Sequence, residues 1–454
     1  MPLSIQGHVR LVAFLMAAYF VLPLYSQASP GAPANSQSSQ SKAQPPSAPS
    51  TDPLAPLVTQ AQAARDRNDF AAAIPLLQKI ADAKPTEALP HFELGFAYSG
   101  LKKNPEAIAE YRRAISLDPN LAPAQMNLGI ALLDSAPAAA AESFERAAKL
   151  LPGQARPVYL MGEALERGGK GSEAIEQYRA AAAIAPKDDV ILFALARALL
   201  ADKQSAAAES GFRQLLALKP DSAPAQLGVA EALLSERKTA EAVDVLREYL
   251  LEAPDDRHAR FERAVALQDL NRSDESLVEL DHLDQLDQGA SLGADPPTLR
   301  GSIYMQQKKW SDAQAAFEKA LAASPADAQL HLWIGQTKME LHDYAGAEKE
   351  LRRSLELAPD RSDALRELVS VYYLSAQYET TVSTLDLLAQ RETPTALDWF
   401  FRALSCDKLR RRPEAAAAYQ KFLEMDRGQR PDQEFQAQAR LKLLLRELGR
   451  SSGK

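Results

Sequence analysis

The stretch Ala88–Pro119, ALPHFELGFAYSGLKKNPEAIAEYRRAISLDP, decides the fold of this 454-residue chain. In each half of the stretch, apolar and small residues recur at the three- and four-residue spacing that places them along one helical stripe. Between the halves, Gly100 can leave the helical region at low cost, and Asn104 followed by Pro105 offers a capping side chain and a preset first turn. The stretch therefore predicts two helices joined by a turn, which is a helical hairpin.

Prolines recur at the period of this hairpin along most of the chain. From Pro85 to Pro254, successive prolines are separated by 34, 33, 34, 34 and 34 residues, and Pro325 and Pro359 are again 34 apart. Because proline cannot continue a helix, each of them is expected to end the second helix of a unit. The 71 residues from Pro254 to Pro325 equal 34 plus 37, so we expect a three-residue insertion within 289–297.

Two rows of small residues indicate the same register. One position on the first helices is Gly or Ala in ten of eleven units, and a matching row on the second helices is mostly Ala, with Ala141 in the third unit. Small residues let two helix backbones approach closely, so these rows are expected to form the contact within each hairpin. The predicted contact residues are Gly95, Ala107, Gly129, Gly162, Ala174, Ala196, Ala208, Gly301, Ala313, Gly335 and Ala347.

This order of residue sizes at a 34-residue period resembles the tetratricopeptide repeat family. The resemblance implies an all-α solenoid, a right-handed superhelix of about eleven hairpins. A helix within 431–454, with its apolar pattern at Phe435, Ala439, Leu443 and Leu444, is expected to cap the last hairpin. The predicted units of the solenoid at 54–430 are 54–87, 88–121, 122–154, 155–188, 189–222, 223–256, 257–293, 294–327, 328–361, 362–395 and 396–430.

The first 53 residues are expected to lie outside the repeats. An apolar run of 14 residues, Leu11 to Leu24, follows Arg10, and Ser26-Gln27-Ala28 places small residues where a signal peptidase cuts. The run is short for a bilayer span, so residues 1–28 are predicted to be a cleaved secretory signal, with an uncleaved anchor as the alternative. Residues 29–53 are rich in Ser, Pro, Gln and Ala and predict a disordered linker. The expected location is the periplasm or the exterior, without a membrane span after cleavage.

Composition and motifs argue against catalysis. The chain has no Gly-rich phosphate loop, no His-Glu-x-x-His motif and a single cysteine, Cys406, which is expected to be a buried thiol. The net charge of −8 argues against nucleic acid as a partner. We therefore expect no enzymatic activity, no cofactor and no metal site.

Each of two charged clusters in the sequence has two possible interpretations. The acidic residues Glu275, Glu279, Asp281, Asp284 and Asp287 lack a loop with metal-ligand spacing, so a solvated helix face is the favoured interpretation over a cation site. Residues 408–412, KLRRR, are interpreted as a solvated turn, and docking of an acidic partner or an anionic lipid surface is the alternative.

The remaining candidate site is a surface for binding. In tetratricopeptide families, the flank of the first helix that carries Phe92 and Phe96 here forms the concave wall of the superhelix, and the equivalent positions of the following units are largely apolar. This row predicts a groove for a peptide segment or a partner helix. Alternatively, neighbouring first helices bury most of the row. The candidate groove residues are Phe92, Phe96, Met126, Ile130, Tyr159, Phe193, Arg197, Leu227 and Phe261, and Leu332 and Phe400 continue the row.

Three functions are compatible with such a chain. The favoured one is a non-catalytic protein–protein interaction scaffold in the bacterial cell envelope, with other envelope proteins as partners. The second is carbohydrate-polymer recognition or an export scaffold in the periplasm, in which Phe92, Tyr159, Phe193 and Phe261 stack on sugars. The third is a passive spacer. The sequence indicates neither the identity of the partner nor the oligomeric state.

Overall fold

The computed structural model describes residues 53–286 and 293–451, and these residues form twenty-three α-helices and no strand. The prediction of an all-α chain of helical hairpins is confirmed. The predicted signal peptide, nearly all of the linker and residues 289–292 of the predicted insertion lie outside the described residues. The helices are α1 (Ala55–Asp66), α2 (Phe70–Ala83), α3 (Ala88–Gly100), α4 (Asn104–Leu117), α5 (Ala122–Leu132), α6 (Pro137–Leu150), α7 (Ala155–Arg167), α8 (Gly171–Ile184), α9 (Asp189–Ala201), α10 (Ser205–Leu218), α11 (Ala223–Ser235), α12 (Thr239–Glu252), α13 (Arg257–Asp269), α14 (Ser273–Leu286), α15 (Asp295–Gln306), α16 (Trp310–Ala323), α17 (Ala328–Glu340), α18 (Tyr344–Leu357), α19 (Ser362–Leu374), α20 (Tyr378–Arg391), α21 (Ala396–Lys408), α22 (Arg412–Asp426) and α23 (Pro431–Ser451).

The contacts between helices divide the chain into two compact units, Met1–Val245 and Leu246–Lys454. In the described part of the first unit, α1 to α10 form five hairpins, and each helix packs mainly on the helices that precede and follow it. In the second unit, α13 to α22 form hairpins in the same way, and α23 packs on α22. Each unit is therefore held together by contacts between neighbours along the chain, as in other repeat proteins.

A large side chain of the second helix lies over a small residue of the first helix in each of several hairpins. A Cβ added to Gly95 would come within 2.6 Å of the Tyr111 ring, and a Cβ on Gly301 would come within 2.4 Å of the Phe317 ring. Glycine is required there because any side chain would overlap the ring. The same arrangement joins Gly129 to Phe144, Gly162 to Tyr178 and Gly335 to Leu351. The alanines of the two predicted rows are fully buried at Ala107, Ala174, Ala196, Ala208, Ala313 and Ala347.

A left-handed residue lies in ten of the eleven turns that join a first helix to the second helix after it in the described residues. The turn between α5 and α6 lacks one, and this hairpin belongs to the interval of 33 residues between prolines. The residue missing from the third unit is thus the left-handed one, and the register of α6 shifts by one position. The fully buried alanine at the row position of α6 is accordingly Ala140, and the assignment of Ala141 to the row is wrong. The left-handed residues are Asn68, Lys102, Gly169, Lys203, Arg237, Asn271, Lys308, His342, Ala376 and Arg410.

Gly100 does not have the role in the turn that the sequence suggested. It is the last residue of α3, and the left-handed residue of the turn is Lys102, with φ of 57°. A Cβ on Gly100 would stand 2.4 Å from the Phe70 ring of α2. Gly100 therefore serves the packing of α3 on the preceding hairpin.

The second helices end just before the prolines, as predicted, but the predicted cap at Asn104 is not formed. For example, α4 ends at Leu117, two residues before Pro119, and α16 ends two residues before Pro325. Asn104 begins α4 and does not cap it, because no side chain accepts a hydrogen bond from the first turn. Aspartates cap other helices, as at Asp69, whose carboxylate accepts a 3.1 Å hydrogen bond from the Ala72 amide.

The last helix packs through a different face from the predicted one. Ala437 and Leu444 of α23 are fully buried, and Leu441 and Leu448 pack beside them against the core of the last hairpin. Phe435, by contrast, is 77% exposed. Spacings of four, three and four residues from 437 to 448 give a continuous helical stripe, and this stripe is the buried face. Of the four residues predicted to form the pattern, only Leu444 is buried.

Candidate surface for protein binding

One large apolar side chain occupies the same position on five first helices of the first unit. All five are partly buried, so part of each side chain is covered by the protein and part is open to solvent. We call this set the apolar wall. Its members are Phe92 on α3, Met126 on α5, Tyr159 on α7, Phe193 on α9 and Leu227 on α11.

Aromatic partners hold the three rings of the wall in place. Each ring packs against the aromatic residue that lies over the hairpin contact in its own second helix. The centroid distances are 6.1 Å for Phe92–Tyr111, 5.8 Å for Tyr159–Tyr178 and 5.8 Å for Phe193–Phe212. Because these rings are already ordered by packing, they lose little side-chain entropy when a partner binds.

Three other predicted groove residues lie one helical turn further along. Phe96 is partly buried and meets the Phe70 ring edge-on at 6.0 Å. Ile130 is the more open of the two apolar residues, at 39% exposure. Arg197 is exposed on α9. These three positions thus combine apolar and charged side chains.

Ion pairs link successive first helices beside the wall. Arg197 Nη2 donates to both carboxylate oxygens of Glu166 on α7, each at 3.0 Å. Glu166 also accepts a 2.8 Å hydrogen bond from the Tyr178 hydroxyl. Arg65 of α1 similarly donates to Glu93 of α3 at 2.9 and 3.0 Å. Charge along this flank is therefore fixed in position before any partner arrives.

Burial keeps the tyrosines of this region neutral. Burial, followed by the charge of Glu163, raises the pKa of Tyr159 above its usual value. Burial, followed by Glu166, does the same to the pKa of Tyr178. Both hydroxyls therefore remain protonated at physiological pH and act as hydrogen-bonding groups.

In the second unit the row stays partly open at Phe261 but is buried at its two later predicted positions. Phe261 is partly buried and packs on the cluster that contains Ala264 and Leu280. Leu332 and Phe400, however, are only 3% and 7% exposed. Leu332 belongs to a core cluster with Leu351, and the Phe400 ring lies 4.8 Å from that of Phe422. The prediction that these two positions extend the groove is wrong.

The prediction of a solvated face for the acidic cluster on α14 holds for Glu275, Asp281 and Asp284, which are exposed, but not for Glu279; Asp287 lies outside the described residues. Glu279 is 5% exposed and lies between two arginines of α13. Arg260 donates to it at 2.7 Å, and Arg263 donates to its other oxygen. Asp281 and Asp284 both accept from Arg300, at 2.6 and 2.9 Å. Within the described residues, no group of His, Cys, Asp or Glu side chains could hold a metal ion.

The pair formed by Arg260 and Glu279 belongs to a repeated motif that the sequence reasoning missed. His91 Nδ1 lies 2.7 Å from Glu110, and His331 Nδ1 lies 2.7 Å from Glu350. In all three pairs the base precedes the glutamate by 19 residues. The sequence signal for this motif is a basic residue near the start of the first helix with a glutamate 19 residues later. These histidines therefore join the helices of a hairpin.

Two other expected features have structural roles. In the basic turn, Arg411 pairs with Glu379 at 2.6 Å and Arg412 with Glu447 at 3.0 Å, so part of its charge is used within the protein. Cys406 is fully buried, as expected, and burial raises the pKa of its thiol.

Family models identify the repeat. A tetratricopeptide repeat model matches residues 199–260 and 304–372, a second model of the same description matches 126–189, and a TPR repeat model matches 101–135. The chain belongs to the tetratricopeptide repeat family. Proteins of this family generally mediate protein–protein interactions, and their repeats are typically non-catalytic. No curated protein matches this tetratricopeptide repeat chain.

Solved tetratricopeptide structures are similar at low sequence identity. YrrB, described as a TPR protein with an unusual peptide-binding site, is 20% identical; the match covers 40% of this chain and 95% of YrrB, with a TM-score of 0.37. The pilF protein of Pseudomonas aeruginosa is 20% identical over 48% of this chain and 98% of its own, with a TM-score of 0.39. Yeast Tom70 is 11% identical over 87% of this chain and 96% of its own, with a TM-score of 0.35.

In the described part of this tetratricopeptide repeat protein, none of the helices is both long enough and apolar enough to cross a membrane.

Proposed function

We propose that this tetratricopeptide repeat protein is a non-catalytic scaffold that holds a peptide segment or helix of a partner protein on the apolar wall of its first unit. Five successive first helices present a partly buried, large apolar side chain at the same position, and this observation supports the proposal most strongly. A row of such residues at a regular interval suits a linear partner, since each anchor of the partner meets an equivalent site.

The packing of the wall favours binding over a purely internal role. Phe92, Tyr159 and Phe193 are each braced from behind by an aromatic residue of the second helix. Residues that are rigid, aromatic and partly exposed are the kind that contribute most to protein interfaces. Ile130, which is 39% exposed, adds apolar area beside the wall.

Charged groups next to the wall would set the register of the partner. The Arg197 side chain keeps 57% of its surface exposed although it binds Glu166. It can therefore donate hydrogen bonds to a second carboxylate, from a partner, without leaving its position. An exposed ion pair of this kind contributes more to orientation than to affinity.

The cell envelope is the location that we propose for this scaffold. The support is the apolar run Leu11 to Leu24, followed by Ser26-Gln27-Ala28, which is typical of a secretory signal. These residues lie outside the described part of the chain. Cell fractionation with an antibody to the repeat region tests the location, and recovery in the cytoplasmic fraction would contradict it.

The binding proposal is tested with alanine variants of the wall. Phe92→Ala, Tyr159→Ala and Phe193→Ala are compared with the original chain by crosslinking in cells and mass spectrometry. We expect each to reduce recovery of the same partner by about tenfold, the loss typical of one good interface anchor. Ile184→Ala is the matched control, because Ile184 is 41% exposed on α8 and is not part of the wall. Equal recovery with all four variants would overturn the proposal.

Carbohydrate recognition is the second candidate, because three of the five wall residues are aromatic and could stack on sugar rings. Met126→Ala and Leu227→Ala separate the two functions. Both variants should weaken binding of a peptide, which uses every apolar anchor, but should leave stacking on a sugar unchanged. A glycan array on which only the aromatic variants lose signal would favour carbohydrate. Variants that change neither readout would indicate a passive spacer.

A further inference from the structure

The outer face of α23 carries an apolar stripe. Phe435 is 77% exposed and Leu443 is 47% exposed, and Ala439 between them is also exposed. The three residues are four positions apart, so they lie along one side of the helix, opposite the buried Ala437 and Leu444. The terminal helix of a repeat stack normally turns a polar face to solvent. This helix instead exposes an aromatic ring and a leucine together.

The residues of this face are arranged symmetrically about Ala439. Phe435 precedes it by four positions and Leu443 follows it by four; Asp432 precedes it by seven and Arg446 follows it by seven. Seven residues are close to two helical turns, so both charged residues share the face of the stripe. Asp432 and Arg446 are exposed in the structure. The face thus has a large apolar residue on each side of a central alanine and residues of opposite charge at its two ends.

We propose that α23 pairs with α23 of a second copy of this chain, antiparallel, with Ala439 at the two-fold axis. In this arrangement Phe435 of each copy packs on Leu443 of the other, and Asp432 of each copy pairs with Arg446 of the other. A two-fold interface of this type uses the same patch on both chains, which is what a symmetric sequence pattern allows. The small side chain of Ala439 lets the two helices approach closely at the crossing.

Charge specifies the direction of the pairing. The first half of the exposed face carries Asp432, and the second half carries Lys442 and Arg446. Parallel helices would place like charges opposite each other, whereas antiparallel helices bring acid to base at both ends. This complementarity identifies the occupant as a second copy, because an unrelated helix would not require the symmetry. The inference is independent of the apolar wall and of its partner.

Charge reversal tests the direction. The association of the purified protein is measured by sedimentation equilibrium over a range of concentrations. Asp432→Arg and Arg446→Asp should each weaken the dimer by about tenfold, since each replaces two attractive pairs by two repulsive ones. The double variant should restore most of the affinity, because the two charges are exchanged. Asp221→Arg, at an exposed site of the first unit, is the matched control.

A disulfide crosslink tests whether Ala439 lies at the two-fold axis. In Ala439→Cys, two thiols introduced on the two-fold axis should form an intermolecular disulfide under mild oxidation, while the buried Cys406 stays reduced. Ala417→Cys, at an exposed site of α22, should not crosslink at the same protein concentration. Because the substituted residues are exposed, we expect the melting temperature of each variant to be unchanged, and this measurement checks that the variants are folded. A protein that is monomeric at every concentration, or a dimer that neither the charge reversals nor the crosslink affects, would overturn the proposal.

Discussion

The ring of Tyr111 lies so close to Gly95 that a Cβ on the glycine would stand 2.6 Å from two ring carbons. The same relationship recurs where Phe144, Tyr178 and Phe317 cover glycines of their own first helices. These contacts between the two helices of a hairpin leave no space for a larger residue. The stability of these four hairpins should therefore depend on keeping a minimal side chain at this position.

Gly95→Leu should destabilise the protein by about 1 to 3 kcal/mol, because the new side chain overpacks the contact with Tyr111. Urea denaturation followed by circular dichroism measures the change. The control is Gly171→Ala at the start of α8, where nothing lies within 4 Å of the added Cβ. This control should be neutral or slightly stabilising. Equal stability of Gly95→Leu and the original chain would show that the register of the contact is misassigned.

The fold could be predicted from sequence because the information in each unit is local. A proline two residues after a helix end and a small residue facing a large one are visible within most single units and recur in the next. The shift in the third unit could not be predicted, because the prolines give its length but not the place of the missing residue. Only the absence of a left-handed residue between α5 and α6 locates it in the turn.

The burial of the site residues was harder to predict from the sequence than their position in the repeat. Phe92 and Leu332 occupy the same place in their units, but Phe92 is partly buried and Leu332 is 3% exposed. Leu332 is covered because it joins Leu351 and Leu368 in one cluster, and such coverage depends on side chains from separate helices. Glu279 shows the same limitation for charge, since its burial depends on two arginines from the facing helix.

Glu279→Ala should cost about 3 to 5 kcal/mol. The substitution leaves Arg260 and Arg263 without their shared carboxylate, and their side chains are only 11% and 15% exposed. Glu275→Ala on the same helix is the control, because Glu275 is exposed and its pair with Arg272 should contribute less than about 1 kcal/mol. Denaturation midpoints that fall equally in both variants would indicate that the buried network has no special role.

The left-handed turn residues predict a pair of substitutions with opposite signs. Ala376 has φ of 59°, which is costly for a residue with a Cβ, so Ala376→Gly should stabilise the protein by up to about 1 kcal/mol. Gly169 has φ of 74° in the equivalent turn, so Gly169→Ala should destabilise it. Thermal melting of both variants measures the difference. Shifts of the same sign would mean that turn conformation does not limit stability here.

Glu367→Gln should stabilise the protein near neutral pH but not in acid. Burial raises the pKa of Glu367, a hydrogen bond from Gln336 at 2.8 Å opposes the shift, and Asp363 and Glu340 add to it. Because the folded-state pKa is raised, the ionised carboxylate is disfavoured in the fold. The contribution of Glu367 is thus most favourable below the unfolded pKa of about 4.3 and is lost as pH rises through the folded value. Glutamine keeps the acceptor for Gln336 without the charge, so the melting temperature of the variant should exceed that of the original chain at pH 7.5 and match it at about pH 3.5. Asp343→Asn, at an exposed helix cap, should not show this gain at neutral pH. A constant difference across the pH range would rule out titration of Glu367 as its cause.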